Sequence, residues 1–409
     1  MKFIKLKIFF FIFFLETILY LCLRIANILK YYRNTMPKSK KKILFIYLNS
    51  FSGTGGIEKF NACLMKSIGE YTQNRNIGYE VISLADVVAN TNYLPQNLFR
   101  GFANRKFQAM VYAFWKIFNA DIVLLGHINL IVLGLWTLLF PNKKLLLVAH
   151  GIEVWQDLSF WKKKVLQYCT KILAVSNFTK QQMMQKQGLD GSNITIFPNT
   201  LNPFFVLPTD FHKPLYLLER YKIHSNSFVF VTLARLSSAE QYKGYDRILE
   251  ALPMVLTQYP TCKYVIAGKY DDKEYTRITE IITKNNLQNN VILTGFVQDT
   301  ELIDHYLLAD TFIMPSSGEG FGIVYLEAMA CGLGVIAGNK DGSTDALKNG
   351  ELGQLINPES IEQIANAMLR SLQNPLHTID KQKIQQQVLH YFGFESFKQN
   401  TKEVFVKYE

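Results

Sequence analysis

Two glutamates on either side of a glycine-rich turn are the residues of this 409-residue chain best suited to chemistry. The segment 316–330 reads SSGEGFGIVYLEAMA, with Glu319 in the turn and Glu327 inside the helix that should follow. The first amides of that helix lack intrahelical acceptors and favour an anion. They belong to Phe321, Gly322, Ile323 and Val324. Because carboxylates accept hydrogen bonds from hydroxyl groups, the segment predicts a site for a hydroxyl-rich anion.

Two cations flank a loop in the second half of the chain. Arg235 follows the apolar run 227–233, and Lys243 precedes a helical pattern that begins near Tyr245. At the carboxyl end of a parallel strand, such a pair would neutralise a diphosphate. A solvated pair on an exposed loop is the alternative interpretation.

Two other apolar runs end in histidine, at His127 and His150. Ligands of open parallel sheets bind beyond the carboxyl ends of the strands, where a histidine can hydrogen-bond a sugar or a phosphate. Glu153 follows His150 closely and is a candidate contact for an acceptor substrate. The alternatives are histidines that only fix a loop, and a glutamate that only faces solvent.

The elements that must position these residues repeat a strand, loop and helix pattern. In the first half, 42–49 is apolar, a glycine-rich loop follows, and apolar residues of 57–71 share one helical face. Gly55 and Gly56 would let the backbone approach a ligand closely. The spacing is not G-x-G-x-x-G, so a dinucleotide fingerprint is not met. The alternation predicts an α/β chain with two doubly wound parallel sheets.

The domain boundaries follow from composition. Four of the twelve prolines lie in 197–214, which indicates a linker between two domains. We predict a first Rossmann-like domain over 42–205, a linker over 206–224, and a second Rossmann-like domain over 225–391.

Residues 1–41 form a separate basic and apolar arm. The sixteen residues 8–23 are apolar except for Glu16 and Thr17, and lysines and arginines flank them, so most of the formal net charge of +11 lies in residues 1–42. A helix of that length spans about 24 Å, less than the roughly 30 Å hydrocarbon core. Three interpretations stay open: a helix lying in the membrane interface, a single span, and a cleaved signal peptide. The first two place the globular body at the cytoplasmic face of the cell membrane, and this charge distribution indicates a membrane surface, not nucleic acid.

These segments resemble the retaining, nucleotide-sugar-dependent glycosyltransferases of family 4, which have the two-domain GT-B fold. The resemblance runs from about Lys42 to the C-terminus. It rests chiefly on ARLSSAEQYKGYDRILEA and SSGEGFGIVYLEAMACGLGVIA, with weaker matches such as GGIEKF and VAHGIE. In this architecture the last helix usually crosses back, so 392–409 is expected to pack on the first domain.

The resemblance implies a role for each candidate residue. Arg235 and Lys243 would hold the donor diphosphate and stabilise the leaving group, and Glu327 would bind the ribose. Glu319 and His127 would contact the transferred hexose. The backbone groups that complete the donor site would be those of Gly55, Gly56, Phe321, Gly322, Ile323 and Val324. Tentative acceptor contacts would be His150 and Glu153.

Two segments depart from the family pattern. The residues SSAEQ, 237–241, lie where this loop is often shorter, and Asp345 stands at an acidic position that is often a glutamate preceded by two glycines. The second departure concerns contacts specific to the sugar. Neither changes the charged residues that bracket the donor site.

The expected reaction needs no metal or other cofactor, because no Asp-x-Asp stands at a strand end and Arg235 and Lys243 would supply the positive charge. The expected substrates are a nucleotide sugar and a glycan or lipid-linked saccharide acceptor, in surface polysaccharide synthesis. Same-face attack and a covalent intermediate both stay open. The alternative functions are another GT-B nucleotide-sugar enzyme, such as an epimerase, and a non-catalytic membrane-bound partner subunit.

Overall fold

A computed structural model of the chain describes residues 40–53, 55–73, 75–140 and 142–408. The predicted membrane-associating arm, residues 1–41, lies outside this range apart from its last two residues. Among the residues described, no helix combines the length and the apolar character needed to cross a membrane.

The first domain is built around a seven-stranded parallel sheet with the strand order β3-β2-β1-β4-β5-β6-β7. Its strands are β1 (Lys41–Tyr47), β2 (Ile77–Ser83), β3 (Phe99–Gly101), β4 (Ile122–Leu125), β5 (Lys144–Ala149), β6 (Lys171–Ala174) and β7 (Ile194–Ile196). Its helices are α1 (Gly56–Gln73), α2 (Lys106–Asn119), α3 (Gly134–Leu138), α4 (Ile152–Trp155), α5 (Phe160–Gln167) and α6 (Asn177–Gln187). The central strands β4 and β5 are apolar and buried, apart from the exposed Lys144 at the start of β5, because helices cover both faces of the sheet.

The second domain repeats this plan with a six-stranded parallel sheet in the order β10-β9-β8-β11-β12-β13. Its strands are β8 (Val229–Leu233), β9 (Lys263–Ala267), β10 (Val291–Gly295), β11 (Thr311–Met314), β12 (Gly334–Gly338) and β13 (Gln354–Ile356). Its helices, with the one that leads into it, are α7 (Leu215–Arg220), α8 (Tyr245–Leu256), α9 (Asp272–Lys284), α10 (Leu302–Leu307), α11 (Ile323–Ala330), α12 (Ser343–Ala346) and α13 (Ile361–Gln373). The prediction of two doubly wound parallel sheets is confirmed.

The chain crosses between the domains twice. It first runs from β7 to α7 through residues 197–214, which form neither helix nor strand. It returns between the last two helices, α14 (Thr378–Phe392) and α15 (Phe394–Phe405). The two crossings are hydrogen-bonded to each other, since the Phe392 carbonyl accepts from the amide of Leu201 and the hydroxyl of Thr200, each at 2.9 Å.

Helix α15 lies on α1 of the first domain. The Ser67 hydroxyl donates to the Thr401 hydroxyl at 2.7 Å, and the ring of Phe397 meets that of Phe60 edge to face at 5.7 Å. One cluster of buried apolar side chains continues from β1 and α1 through α15 into α11 and β11. The two sheets therefore face each other with their carboxyl ends towards a shared, packed interface.

Candidate active site between the two domains

The turn after β11 has a backbone conformation that requires glycine at position 322. Gly322 has a φ of 92°, and a Cβ at that position would lie 2.4 Å from the ring of Tyr325. Only glycine meets both conditions without strain. Helix α11 begins at the next residue, so its first amides point out of the turn.

A buried aspartate, Asp341, orients the turn. Its Oδ2 accepts from the Glu319 amide at 2.7 Å, and its Oδ1 accepts from the Ser343 amide at 2.9 Å. The Glu319 carbonyl in turn accepts from the amide of Gly342 at 2.8 Å. Burial raises the pKa of Asp341 to about 6, although these hydrogen bonds oppose that shift. The sequence analysis did not single out Asp341, because nothing in its local pattern shows that it reaches back across the sheet edge.

Glu319 is paired with Lys243. The Nζ of Lys243 lies 2.6 Å from Oε1 of Glu319, and both side chains are mostly buried. Burial by itself lowers the pKa of Lys243, but its interactions with Glu319, Tyr242 and Glu240 together outweigh burial, so the pKa lies above its usual value. Lys243 therefore carries a positive charge at the carboxyl edge of the second sheet.

Arg235 and Lys243 both interact with the carboxylate of Glu240. One carboxylate oxygen of Glu240 accepts from the guanidinium of Arg235, and the other lies 3.8 Å from Nζ of Lys243. The Arg235 side chain is 71% exposed, whereas that of Glu240 is only 16% exposed. Glu240 comes from the segment 237–241 that departs from the family pattern. Its carboxylate thus lies between the two cations predicted to hold a diphosphate.

Glu327 is bound by a residue of the opposite domain. Its Oε1 accepts from Nζ of Lys59 on α1 at 2.5 Å, and its Oε2 accepts from the Tyr306 hydroxyl at 3.0 Å. Glu327 is only 2% exposed. Burial by itself lowers the pKa of Lys59, but the nearby negative groups, Glu327 first among them, together raise it above its usual value, so Lys59 stays protonated. Lys59 is a residue that sequence reasoning missed, although it stands four positions after Gly55 in the segment GGIEKF.

The two histidines lie together in the first domain, with ring centroids 6.4 Å apart. Nε2 of His150 donates to the Gly126 carbonyl at 2.9 Å, which fixes its tautomer because a carbonyl only accepts. Nδ1 of His127 accepts from the Asn129 amide at 3.0 Å, so the neutral ring carries its proton on Nε2. Burial lowers the pKa of each histidine to about 4. Both rings are therefore neutral at pH 7.

Glu153 closes the turn after β5. Its Oε1 accepts from the amide of His150 at 2.6 Å, and it lies in the first turn of α4. The carboxylate thus fixes the backbone that carries the histidine. Whether it also contacts an acceptor stays a prediction.

The two domains touch where Gly320 lies against His150 and Gly151. A Cβ on Gly320 would lie 1.8 Å from the His150 carbonyl oxygen, and one on Gly151 would lie 2.8 Å from the Cα of Gly320. A Cβ on Gly56 would lie 3.9 Å from Cδ1 of Ile323. Gly55 stands beside Glu58 in the first turn of α1, whose Oε2 would be 2.4 Å from a Cβ on Gly55. The glycine loop of the first domain therefore lies close to the start of α11.

A second polar contact joins the domains beside this one. Asp345 in α12 accepts at Oδ1 from the backbone amide and the side-chain amide of Asn177, each at 2.8 Å. Asn177 is the first residue of α6, so a carboxylate lies at a helix N-terminus. In this structure the acidic residue that departs from the family pattern thus stabilises the contact between the domains.

The structure brings the predicted residues into two groups. Arg235, Lys243, Glu319 and Glu327 gather at the edge of the second sheet, and His127, His150 and Glu153 gather at the edge of the first, across the interface. No group of three or more His, Cys, Asp and Glu in the described residues is arranged to hold a metal ion. The arrangement offers fixed cations, carboxylate acceptors and a neutral imidazole N–H, which suits a ligand with phosphates and hydroxyls.

Two family models match the chain. The model described as "Glycosyl transferases group 1" matches residues 218–388, and the model described as "Glycosyltransferase Family 4" matches residues 73–203. Together they account for 302 of the 409 residues. The second of these models covers most of the first domain, and the first covers most of the second domain.

Proteins similar to the chain include two mannosyltransferases and one protein solved with UDP bound. The GDP-mannose-dependent alpha-(1-6)-phosphatidylinositol monomannoside mannosyltransferase of Mycobacterium tuberculosis is 33% identical over 163 residues, 38% of this chain and 41% of that protein. The O-antigen chain mannosyltransferase B of Escherichia coli is 24% identical over 204 residues, 50% of this chain and 51% of that protein. The matches thus span two fifths to one half of these relatives' own length. HepE of Anabaena, in its crystal structure with UDP, has a TM-score of 0.71 at 20% identity and covers 90% of this chain and 100% of its own, which establishes the shared GT-B fold.

Proposed function

Because the chain belongs to family 4 of the glycosyltransferases, we propose that it is a retaining hexosyltransferase that uses a nucleoside diphosphate sugar. The proposed acceptor is a lipid-linked or other saccharide, in the synthesis of a surface polysaccharide or glycolipid. The names of the two mannosyltransferase relatives, one acting on phosphatidylinositol monomannoside and one on the O-antigen chain, support this acceptor class. The basic, apolar arm of residues 1–42 supports a location at the cytoplasmic membrane face.

The observation that carries the proposal is the pairing of each glutamate in the segment 316–330 with a lysine. Glu319 pairs with Lys243, and Glu327 pairs with Lys59 of the other domain. A nucleoside diphosphate sugar carries the groups that would replace these partners. Its phosphates would take the cations, and its ribose and hexose hydroxyls would donate to the freed carboxylates. The ligand would thereby exchange internal ion pairs for its own contacts.

The proposed chemistry follows from the charges at the reacting centre. The bond between the anomeric carbon and the phosphate oxygen breaks, and the negative charge that develops on the diphosphate is stabilised by Arg235, Lys243 and the start of α11. The acceptor hydroxyl forms a new bond to the anomeric carbon on the same face. Its proton passes to the leaving phosphate oxygen, so no protein base is needed. A metal ion has no part in this scheme.

The neutral histidine has a binding role in this scheme. With a pKa near 4, His127 is not a proton donor of the imidazolium type at pH 7. Its Nε2–H would instead donate to a hydroxyl of the transferred hexose. Packing between the domains would exclude water, which otherwise competes with the acceptor.

A substrate panel tests the proposal. The purified protein is incubated with UDP-, GDP- and ADP-sugars and a lipid-linked acceptor, and the product's anomeric configuration is determined by NMR. We expect transfer with retention from one donor class. An inverted product would refute the retaining assignment, an epimerised nucleotide sugar formed without acceptor would indicate an epimerase, and no turnover and no nucleoside diphosphate binding would contradict the proposal altogether.

Substitutions test the roles of individual residues. Lys243→Ala should lower turnover by roughly 10²–10³-fold, the size of losing one electrostatic donor to a transition state. Glu327→Ala should weaken donor binding. Lys340→Ala is the matched control, because Lys340 pairs with Glu359 on an exposed surface. Wild-type rates and affinities in both test variants would refute the assigned roles.

A further inference from the structure

Helix α2 presents its large apolar side chains to solvent. Its buried positions are Ala109, Ala113 and Ile117, spaced four residues apart. The outward positions include Phe107, 79% exposed, and Trp115, 52% exposed. An ordinary surface helix buries its aromatic residues and exposes polar ones. In α2 this arrangement is reversed, so within the part of the chain that the structure describes Phe107 and Trp115 stay largely open to solvent.

The exposed apolar surface continues onto neighbouring elements. Phe114 of α2 meets Trp136 of α3 edge to face, with ring centroids 5.2 Å apart. The start of α3 lies against α5, since a Cβ on Gly134 would be 3.0 Å from Cγ1 of Val165. The outer surfaces of these helices carry further exposed side chains, which are Leu135, Leu138, Phe160 and Trp161. We name this surface, formed by α2, α3 and α5, the aromatic face.

The part of the chain that carries the aromatic face is basic. From residue 102 to residue 168 there are eight Lys and Arg and three Asp and Glu. Residues 43–409 as a whole contain 34 Lys and Arg and 32 Asp and Glu, so the positive excess of the globular body is concentrated here. Within the described part of the chain, Lys106 and Lys164 have no carboxylate partner, and Lys164 lies over the ring of Phe160 at 5.5 Å.

We propose that the aromatic face lies on an anionic phospholipid surface, as a membrane contact separate from residues 1–42. Exposed aromatic side chains beside lysines are typical of membrane interfaces, where rings enter the headgroup region and lysines meet anionic lipid. A protein partner fits less well, because protein interfaces are depleted of lysine. The exposed apolar side chains also lie on three helices that contact one another, unlike single scattered ones, which need no explanation.

The aromatic face adjoins the candidate active site. Nζ of Lys162 on α5 donates to Oδ1 of Asn129 at 3.4 Å, and the amide of Asn129 donates to Nδ1 of His127. A bilayer on this face would therefore lie beside the first-domain edge of the site. A bilayer in this position could deliver a lipid-linked acceptor to the site, and that role rests on the proposed function. The membrane contact itself follows from the surface alone.

Tryptophan fluorescence tests the contact in the full chain. All four tryptophans, 115, 136, 155 and 161, lie in the first domain. With vesicles of phosphatidylglycerol and phosphatidylcholine brominated on their acyl chains, we expect quenching of the wild type, reduced about twofold or more in W115F/W161F, which lacks the two most exposed reporters. W155F, whose indole donates to Thr179, is the control and should keep the quenching. No wild-type quenching, or equal quenching in W115F/W161F, would overturn the proposal.

A second variant tests the same contact without removing the reporters. F107S/F160S/K164E changes only exposed positions, so folding should be preserved, and the lipid concentration needed for half-maximal quenching should rise about tenfold. The control L215S/F296S removes two exposed apolar side chains of α7 and the second domain and should match the wild type. If the wild type forms dimers without lipid that F107S/F160S/K164E abolishes, the face binds a second copy and the proposal is wrong. Because these readouts do not involve turnover, their failure is distinct from failure of the transferase assay.

Discussion

At the scale of single residues, the site is a set of carboxylates already paired with cations. Lys59 holds Glu327, Lys243 holds Glu319, and Glu240 lies between Lys243 and Arg235. Each pair compensates a charge that is partly or wholly buried. Without its partner, such a charge would cost free energy because water solvates it poorly. The same pairing means that a ligand must displace internal partners as it binds. Under the proposed function, the affinity for a nucleotide sugar would therefore also depend on Glu240, which competes for Arg235 and Lys243 without touching the ligand itself.

Glu240 gives a test of this competition. Replacing it by glutamine removes the carboxylate next to Arg235 and Lys243 and keeps the size of the side chain. We expect nucleoside diphosphate binding to tighten by about threefold to tenfold, a modest effect because Arg235 is largely exposed and screened. Titration calorimetry with UDP and GDP measures it.

The control for that test is Glu250→Gln. Glu250 pairs with Arg247 on the exposed side of α8, away from the site. Unchanged or weaker diphosphate binding in Glu240→Gln would show that Glu240 does not compete with the ligand.

At the scale of elements, α15 ties the two domains together. It belongs to the C-terminal end of the chain, follows α14 of the second domain directly, and packs on α1 of the first. Helix α1 also carries Lys59, so the packing of α15 supports the helix that reaches Glu327. This links the stability of a remote helix to the geometry of the site.

The substitution Phe397→Ala tests this packing. Phe397 is 2% exposed and contacts the rings of Phe60 and Phe197. Its truncation leaves a cavity, and we expect a loss of about 3–5 kcal/mol in the free energy of unfolding of the first domain. Chemical denaturation followed by tryptophan fluorescence measures it, because all four tryptophans lie there. Ile379→Ala, at a position 70% exposed, should have no effect, and an equally small effect of Phe397→Ala would contradict the structural role of α15.

At the scale of the whole molecule, contact between the domains buries polar groups that each domain alone would leave more exposed. The carbonyl of His150 lies against Gly320, and Glu327 is covered by Lys59. Opening of the interface would hydrate these groups. Conditions that favour the charged form of a buried histidine should therefore favour opening and unfolding.

This gives a prediction for pH. The folded pKa of His150 is about 4, below its ordinary value near 6.5, so the unfolded chain takes up the proton first as the pH falls. The stability contributed by the neutral ring is present above pH 6.5 and is lost between about pH 6.5 and 4. His127 acts in the same direction. The raised pKa of Asp341 acts in the opposite direction, since its protonated form favours the fold below about pH 6.

The variant His150→Gln isolates one of these groups. Glutamine keeps a donor for the Gly126 carbonyl but does not titrate. We expect the free energy of unfolding to fall between pH 6.5 and 4.5 by about 2 kcal/mol less in the variant than in the wild type. Denaturant titrations at the two pH values measure it, with His390→Gln on the exposed side of α14 as control. An identical pH dependence in His150→Gln and the wild type would show that the ring does not titrate as a buried group.

The sequence by itself determined the class of fold and the candidate residues. Buried parallel strands are nearly continuous apolar runs, so the run 227–233 and the two runs that end at His127 and His150 correspond to β8, β4 and β5. The short edge strands β3 and β7 were not predicted, because three residues carry too little pattern. The N-terminal arm lies outside the described residues, apart from its last two.

Only the tertiary structure decided how these residues are paired. Lys59 and Glu327 are 268 positions apart, and Asn177 and Asp345 are 168 apart. No local period connects such residues, because hydrophobic periodicity reports which face of an element is buried and not what lies opposite it. The exposure of the aromatic residues of α2 was not predicted for the same reason. The helix buries mostly small residues, which give no strong apolar stripe in the sequence. The sequence thus identified the charged residues of a candidate donor site. The packing of the two domains decided which of those residues pair with each other and with Lys59.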